Sequence, residues 1–442
     1  MPLRNDSKNH ALDRRNFLGT SAASATAMAF SSTPALAADD SLRVAVIGTG
    51  SQGSGHVERF SKLDGVELVY VCDVDTDRRN TAAKRSGATP VDDLRRILDD
   101  KTIDAVSIAT PDHWHAPAAI LACDADKHVY VEKPCCHNFR EGQLLVEAAR
   151  RNKRVVQHGT QQRSKRFTAD AIQMLKEGVI GEVLMAKAWN VQRRRDIGKA
   201  SASDPPEGFD YDMWIGPAPM VPFQSNRHHY NWHWWYAFGT GDLGNDGVHD
   251  LDYARWGLGV ETLPNKIMGL GGKYYFDDDQ QFPDTQTVVF EYGDGRNERK
   301  KQLMFEMRLW SRNYPYNADS GAEFYGTQGK MMLSKRGKLE VFDDSNKRVR
   351  DLKPKTPAGV EDNHYANFVD SIRTGRSPNA EIEIGFRSAA LCNLGNLATR
   401  LGRTIELDPK TQTIVNDDQA NAMLGRDYRK GGHWAIPKGA IA

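Results

Sequence analysis

Gly48-Thr49-Gly50-Ser51-Gln52-Gly53 is a G-x-G-x-x-G run between an apolar stretch, 42–47, and a helix-compatible segment, 56–63. A second apolar stretch, 66–72, ends at Asp73, twenty residues beyond Gly53. A dinucleotide site needs these parts in this order. Gly48 makes the tight turn, Gly50 lets the backbone approach a pyrophosphate, and Gly53 lets helix and strand pack closely. Ser51 and Gln52 open the helix, whose free N–H groups and positive dipole face the phosphates. Asp73 accepts from the adenosine ribose hydroxyls and repels a 2′-phosphate, which points to NAD rather than NADP. The alternative is a structural glycine turn ending in a solvated aspartate.

Further along, Ile108-Ala109-Thr110-Pro111 ends one apolar stretch and is followed by His115, and Glu132-Lys133-Pro134 ends the next. The segment 239–249 then leads through Asn245 and Asp246 to His249 on a helix that continues past Asp252 and Trp256. A lysine at a strand end is often only solvated, and a lone helical histidine is often a core residue. At a ligand face both become candidates to hold and move a proton. The run Arg227-His228-His229-Tyr230-Asn231-Trp232-His233-Trp234-Trp235-Tyr236 offers aromatic faces for sugar C–H surfaces and polar groups for hydroxyls; a packed aromatic core loop is the alternative. Arg193-Arg194-Arg195 would suit a carboxylate or sulfate, or forms a solvated face. Only His229 and His233 have helical i, i+4 spacing among the histidines near Asp242 and Asp246, and they sit in a Trp-rich loop, so no metal site is expected.

These residues need a scaffold. Strands at 42–47, 66–72, 104–109, 128–131 and 154–157 alternate with helices at 56–63, 92–100, 115–123 and 140–151. That alternation predicts a doubly wound parallel sheet with its ligand at the strand C-terminal ends, over 41–162. After a helix at 169–177, strands at 183–191, 287–292, 303–310, 321–325, 330–333 and 339–342 are separated by Gly, Asp and Asn turns. Helices follow at 363–374 and 384–401. This predicts an α+β domain over 163–442 with an open-faced, mainly antiparallel sheet, and a polar tail after Pro409 that wraps the surface or a neighbouring subunit.

The first residues set the compartment. Arg14-Arg15-Asn16-Phe17-Leu18 precedes a mildly apolar, hydroxyl-rich stretch and the small-x-small site Ala35-Leu36-Ala37. This predicts a twin-arginine leader over 1–37 and a folded protein exported to the periplasm. Asp13 and Gly19 depart from the usual leader pattern. The stretch is too short and polar for a membrane anchor. Formal charge is +1 over 442 residues, and the leader carries four basic and two acidic residues, leaving a near-neutral chain with no footprint for nucleic acid. Cys72, Cys123, Cys135, Cys136 and Cys392 are sparse and odd in number. They read as free thiols rather than a disulfide framework, with a strained vicinal bridge at Cys135–Cys136 as the alternative.

The ordered set of glycine fingerprint, Ala-Thr-Pro-x-x-x-His, Glu-Lys-Pro, late helical histidine and the turn Gly326-Thr327-Gln328-Gly329 resembles the family of glucose–fructose oxidoreductase, inositol dehydrogenase and MocA. The resemblance covers essentially the whole chain after the leader. It implies hydride transfer at a sugar or cyclitol carbinol between the two domains, and subunits paired through the open sheet face as a homodimer or homotetramer. It places Thr110, Pro111, His115, Glu132, Lys133 and Gln161 with the glycine loop and Asp73 on the cofactor. It makes Lys133 and His249 the proton-handling pair, and Arg163, His228, Tyr230, Trp232 and Asp246 the contacts of a carbohydrate substrate. One position departs: family sugar dehydrogenases often carry Asp four residues before the histidine, and here that residue is Asn245.

An exported enzyme has no maintained NAD pool, so the cofactor should stay bound and return to its starting state each turnover. Oxidation of one sugar coupled to reduction of another satisfies this. So does transient oxidation followed by elimination, hydration and re-reduction, which is net glycoside hydrolysis. A non-catalytic sugar sensor is the third reading.

Overall fold

The computed structural model describes residues 41–296, 298–360 and 363–441. The leader and its cleavage site lie outside the described residues. The first sheet contains β1 Leu42–Ile47, β2 Val66–Cys72, β3 Thr89–Val91, β4 Ala105–Ile108, β5 His128–Val131 and β6 Val156–His158, in the order β3-β2-β1-β4-β5-β6. Every pairing in it is parallel. Helices α1 Ser51–Phe60, α2 Thr76–Ser86, α3 Arg95–Asp99, α4 Asp112–Asp124 and α5 Phe139–Arg151 connect its strands. β1 reads Leu-Arg-Val-Ala-Val-Ile and is buried at all but Arg43, as a strand covered on both faces must be. Strand order reverses between β1 and β4, and the crevice at such a switch point is where a doubly wound sheet takes its ligand.

Two glycines fix the loop at that crevice. Gly48 has φ +84°, and a Cβ there would lie 2.6 Å from the Ala109 carbonyl oxygen. A Cβ on Gly53 would lie 1.8 Å from the carbonyl oxygen of Gly48, so α1 approaches β1 only through glycine.

The second sheet has ten strands: β7 Val183–Val191, β8 Lys266–Gly272, β9 Thr285–Tyr292, β10 Lys301–Arg308, β11 Ser320–Gly326, β12 Gly329–Ser334, β13 Leu339–Asp343, β14 Arg348–Val349, β15 Ile405–Asp408 and β16 Thr413–Ile414. Their order is β14-β13-β12-β11-β7-β10-β9-β8-β15-β16. β7 and β10 run parallel while the other pairs are antiparallel. Among the described residues the remaining α-helices are α6 Arg166–Lys176, α7 Tyr211–Ile215, α8 Gly241–Asn245, α9 Gly247–Leu258, α10 His364–Thr374 and α11 Ile382–Leu401, with the short α12 Asp418–Ala422 in the tail. α9 packs on β7, β10 and β11 and against α11, so nearly all of its residues are buried. α8 and α9 thereby project Asn245 and His249 toward the ligand end of the first sheet. The opposite face of the large sheet is half-exposed, with Lys187 and Glu306 paired across it at 2.6 Å.

Tyr365, Phe368, Val369 and Ile372 of α10 pack on the first sheet beside Val44, Phe60 and Tyr130. The tail returns to its own chain: Arg426 donates to Glu141 on α5 and to the carbonyl of His113, and Trp434 meets Trp114. All five cysteines are buried free thiols. Among the described residues no helix is long and apolar enough to cross a membrane, and no histidine, cysteine and carboxylate group is placed to hold a metal.

The Arg426–Glu141 pair spans 2.7 Å, with side-chain exposures of 7% and 0%. Arg426→Ala would strand a buried carboxylate, and a loss of about 3 kcal/mol in unfolding free energy is expected. Denaturant midpoints of the two proteins check this; a loss too small to resolve would mean the tail does not brace α5.

Candidate active site

A cavity of about 260 Å³ opens at the crevice between β1 and β4 and reaches the second sheet's helices. Gly48, Gly50, Ser51, Gln52, Asp73, Thr110, Pro111, His115, Glu132, Lys133, Tyr230, Trp232 and Asn245 all stand on its wall. Residues more than a hundred positions apart thus share one space.

At one end Asp73 terminates β2 and braces the glycine loop. Its Oδ2 accepts from the Thr49 amide at 2.8 Å and hydroxyl at 3.1 Å, and Oδ1 accepts from the Asp75 amide at 3.0 Å. A carboxylate offers about four lone-pair sites, so beyond these three bonds one on Oδ1 remains to accept from a ribose hydroxyl. Burial pushes the Asp73 carboxyl up, while the two backbone amides and Arg78 oppose it. The Arg78 guanidinium lies against Gly50 and faces the same end of the cavity. A glycine cradle closed to any Cβ, a carboxylate beyond it, and a buried Thr110 hydroxyl without a partner among the described residues together fit a dinucleotide.

Glu132 forms the floor. Its Oε1 meets His56 Nε2 and Gln52 Nε2, each at 3.0 Å, and Gln161 Nε2 at 3.3 Å. Burial works against its charge, but His56 and Lys133 outweigh that and hold the carboxyl well below its usual range. Gln161 also donates to the Tyr130 hydroxyl and so sits behind Glu132 rather than on the wall. His115 joins the two strand-end loops, with Nδ1 2.7 Å from the Pro134 carbonyl and Nε2 2.8 Å from that of Thr110. Burial pushes its pKa down to about 4, while the two carbonyls and Glu132 pull the other way by favouring a second N–H on the ring.

Lys133 turns inward. Its Nζ donates to Asn245 twice, to the carbonyl oxygen at 2.7 Å and to Oδ1 at 3.1 Å. The Asn245 amide in turn donates to Asp242 Oδ1 at 2.9 Å, and Asp242 accepts from Arg194 at 2.9 Å. Asp246, one residue on, points elsewhere: Arg194 Nη2, Gln192 and Lys335 hold it. Burial raises its carboxyl, yet Lys335, Arg194 and Lys133 outweigh burial and keep it ionised. The residue against Lys133 is therefore an amide, which orients a proton donor without taking its proton.

His249 lies in the first turn of α9, four residues beyond Asn245, behind the wall. Its ring is buried, and Nδ1 has no partner among the described residues. Burial, then Lys335 and Lys133, push it well below the ordinary histidine range, so it is a neutral base or donor.

Three expected substrate contacts are placed differently. His229, not His228, reaches the wall, bonded to Asp75 at 2.9 Å, while His228 packs between Phe209 and Phe223. The two rings lie side by side, centres 3.8 Å apart, and sequence alone does not say which of them reaches the wall. Arg163 pairs with Asp252 at 2.8 Å over the Trp256 ring, tying the α6 entry to α9. Asp246 is the third, held as above. Asp112, Trp114 and Trp214 also line the cavity, and no motif read from the sequence named them. Asp112 accepts from the Thr240 hydroxyl at 2.6 Å, and burial lifts its pKa to about 7 despite that bond. The Thr-Pro-Asp order that places it at the start of α4 was the available signal. His233 stacks on Trp232 with ring centres 3.6 Å apart.

Two family models match the chain. The oxidoreductase family NAD-binding Rossmann fold matches residues 42–160, and the oxidoreductase family C-terminal alpha/beta domain matches 188–436. A glycosyl hydrolase family 109 protein of Shewanella pealeana is 30% identical over 216 residues, 42% of this chain and 47% of that protein. A second, from Shewanella sp. strain W3-18-1, is 34% identical over 166 residues, 35% of this chain and 36% of the relative. The chain thus spans less than half the length of these relatives. Among solved structures, levoglucosan dehydrogenase in complex with NADH and levoglucosan aligns with a TM-score of 0.64 at 20% identity, over 83% of this chain and 99% of that one. The WlbA dehydrogenase of Chromobacterium violaceum, in complex with NADH and UDP-GlcNAcA, gives 0.64 at 20% over 84% and 97%. The aldose-aldose oxidoreductase of Caulobacter crescentus gives 0.63 at 18% over 83% and 100%. These structural likenesses establish the shared fold.

Proposed function

The chain belongs to the Gfo/Idh/MocA family of NAD-dependent oxidoreductases, and we propose that it is exported, keeps its NAD, and hydrolyses a glycoside through transient oxidation of a sugar hydroxyl. The observation that carries this reading is the Lys133–Asn245 pair: a lysine able to exchange a hydroxyl proton, set against an amide where sugar dehydrogenases of the family often have a carboxylate. The glycosyl hydrolase name of the matching relatives supports the same outcome.

The glycine loop and Asp73 would hold NAD, which would supply a reversible hydride acceptor for the carbinol carbon. Lys133 takes the hydroxyl proton as the C–O bond becomes a carbonyl, and returns it on re-reduction. In between, the carbonyl acidifies the neighbouring C–H. Loss of that proton breaks the glycosidic C–O bond, the expelled oxygen leaves with a proton as the alcohol, and water then adds across the double bond, its hydroxyl to the anomeric carbon and its proton to the neighbouring carbon. Trp114, Trp214 and Trp232 supply apolar faces for the ring, and Tyr230 and His229 supply polar edges. Net, one C–O bond is cleaved by water with no change in oxidation state.

A second reading, sugar–sugar oxidoreduction, is favoured by the likeness to levoglucosan dehydrogenase and the aldose-aldose oxidoreductase. Incubation without added cofactor separates the two. Aryl glycosides cleaved with deuterium uptake from solvent beside the oxidised carbon support hydrolysis, whereas paired lactone and alditol from free sugars support oxidoreduction. Neither product from a broad glycoside and sugar panel would sink both.

Asp73→Ala removes the ribose acceptor and the brace on Thr49, so NAD affinity is expected to fall about 30-fold with weaker discrimination against NADP. Titration of NAD-depleted protein with both nucleotides measures this, and an unchanged preference would remove Asp73 from the cofactor site.

A further inference from the structure

We infer that a groove beside the catalytic cavity is a subsite for an anionic group, sulfate or carboxylate, on a sugar outside the reacting one. The inference rests on the carbohydrate reading above and extends it. The groove has a volume of about 710 Å³ and is lined by Arg193, Arg194, Arg195 and Arg312 together with Tyr275 and Trp310. Arg193, Arg195 and Arg312 are exposed and meet no carboxylate among the described residues. Some exposed arginines elsewhere pair, as Arg43 does with Glu67, Arg150 with Glu381 and Arg403 with Asp417, whereas none of Arg193, Arg195 and Arg312 does among the described residues. The groove's own acid, Asp196, is turned to the Gly198 amide at 2.6 Å. Three unpaired guanidinium groups around one concavity repel one another, and an anion relieves that repulsion with geometry suited to a forked acceptor.

The aromatic pair makes the ligand a sugar rather than a free ion. Tyr275 and Trp310 stack with ring centres 5.7 Å apart and 23° between planes. They remain 63% and 37% exposed, a costly way to leave apolar surface unless a ring packs on it. Trp310 is held in place by its Nε1 donating to the Thr285 hydroxyl at 2.8 Å.

Continuity with the active site comes through one residue pair. Arg194 lines the groove and donates from Nη1 to the Tyr230 hydroxyl at 3.2 Å, and Tyr230 stands on the wall of the catalytic cavity. Arg194 itself is neutralised by Asp242 and Asp246, so it partitions the two spaces while the other three arginines remain available. A glycan whose reacting sugar lies at Lys133 passes Tyr230 and places a neighbouring sugar at Trp310 and the arginines.

The test is a glycan array probed with the NAD-loaded protein, carrying sulfated, uronic-acid and sialylated glycans beside their neutral counterparts. Anionic glycans are expected to bind at least about tenfold more strongly, with the margin shrinking between about 0.05 and 0.5 M salt because the charges are exposed. The sulfated and carboxylated arms show which anion is preferred. The variant R193A/R195A/R312A should lose the preference while retaining its NAD and its turnover of a small neutral aryl glycoside. Equal binding of neutral and anionic glycans, no binding at all, or a preference that survives in the variant overturns the inference. So does a solution dimer that falls apart in the variant, since the arginines would then belong to a subunit contact. Anion-selective binding without turnover of any glycoside would defeat the proposed function and leave the subsite standing.

Discussion

Lys133→Ala is expected to lower turnover about 10³-fold while NAD remains bound. Its Nζ faces Asn245, away from the glycine loop, so removing it deprives the reacting hydroxyl of its proton partner without touching the pyrophosphate cradle. General acid–base groups contribute in this range. Lys133→Arg should be nearly as impaired, because a guanidinium keeps its proton throughout the pH range of the enzyme. Steady-state turnover and the NAD content of the purified variants check both points. Turnover near that of the unaltered protein would remove Glu132-Lys133-Pro134 from the active site.

The second large effect is on acid stability. Burial pushes His113 and His233 down to about 3, and His115, His128, His158, His229 and His364 down to about 4. A histidine whose folded pKa is depressed contributes stability that is complete above its unfolded value, near 6.5. That stability is lost as pH falls toward the folded value. Asp112 and Asp250, raised by burial to about 7, act in the opposite sense: their proton is held in the folded protein and released on unfolding. Burial depresses His137 and His249 in the same direction, so the histidines that charge on unfolding outnumber the two aspartates that ionise, unfolding takes up protons, and stability falls as pH drops below about 6.5. Denaturant midpoints between pH 7.5 and 5 should fall steeply below pH 6.5; a flat profile would mean these histidines are not buried neutral.

Much of the site was legible because its residues are fixed by short-range patterns. The glycine run, Asp73 at the end of β2, and Glu132-Lys133 at the end of β5 follow from strand–loop–helix order alone, and the structure brings them into one cavity. β7 was readable to the residue as a long apolar strand. β8 was not: Lys-Ile-Met-Gly-Leu-Gly-Gly carries three glycines and leaves Met268 and Leu270 on the open face, so it lacks alternation. α2 is polar or charged at all but Ala82 and Ala83, and only Ala82 is buried. Long-range neutralisation was illegible for a different reason. Nothing near Asp246 in sequence shows that Arg194 and Lys335 hold it, and nothing near Arg163 announces Asp252. Those contacts are set by how the second sheet's loops return to the first, and they decide which polar residues are free to meet a substrate.

The central claim is a closed hydride cycle on retained NAD at Lys133. Rapid mixing of the purified protein with a cleaved glycoside, without added nucleotide, tests it most directly by following reduced-nicotinamide absorbance. The account predicts a signal that rises and then returns to baseline as substrate is exhausted, over many turnovers per bound cofactor and with no dependence on added NAD. Reduced nicotinamide accumulating in step with product, or turnover in proportion to the NAD supplied, would contradict it.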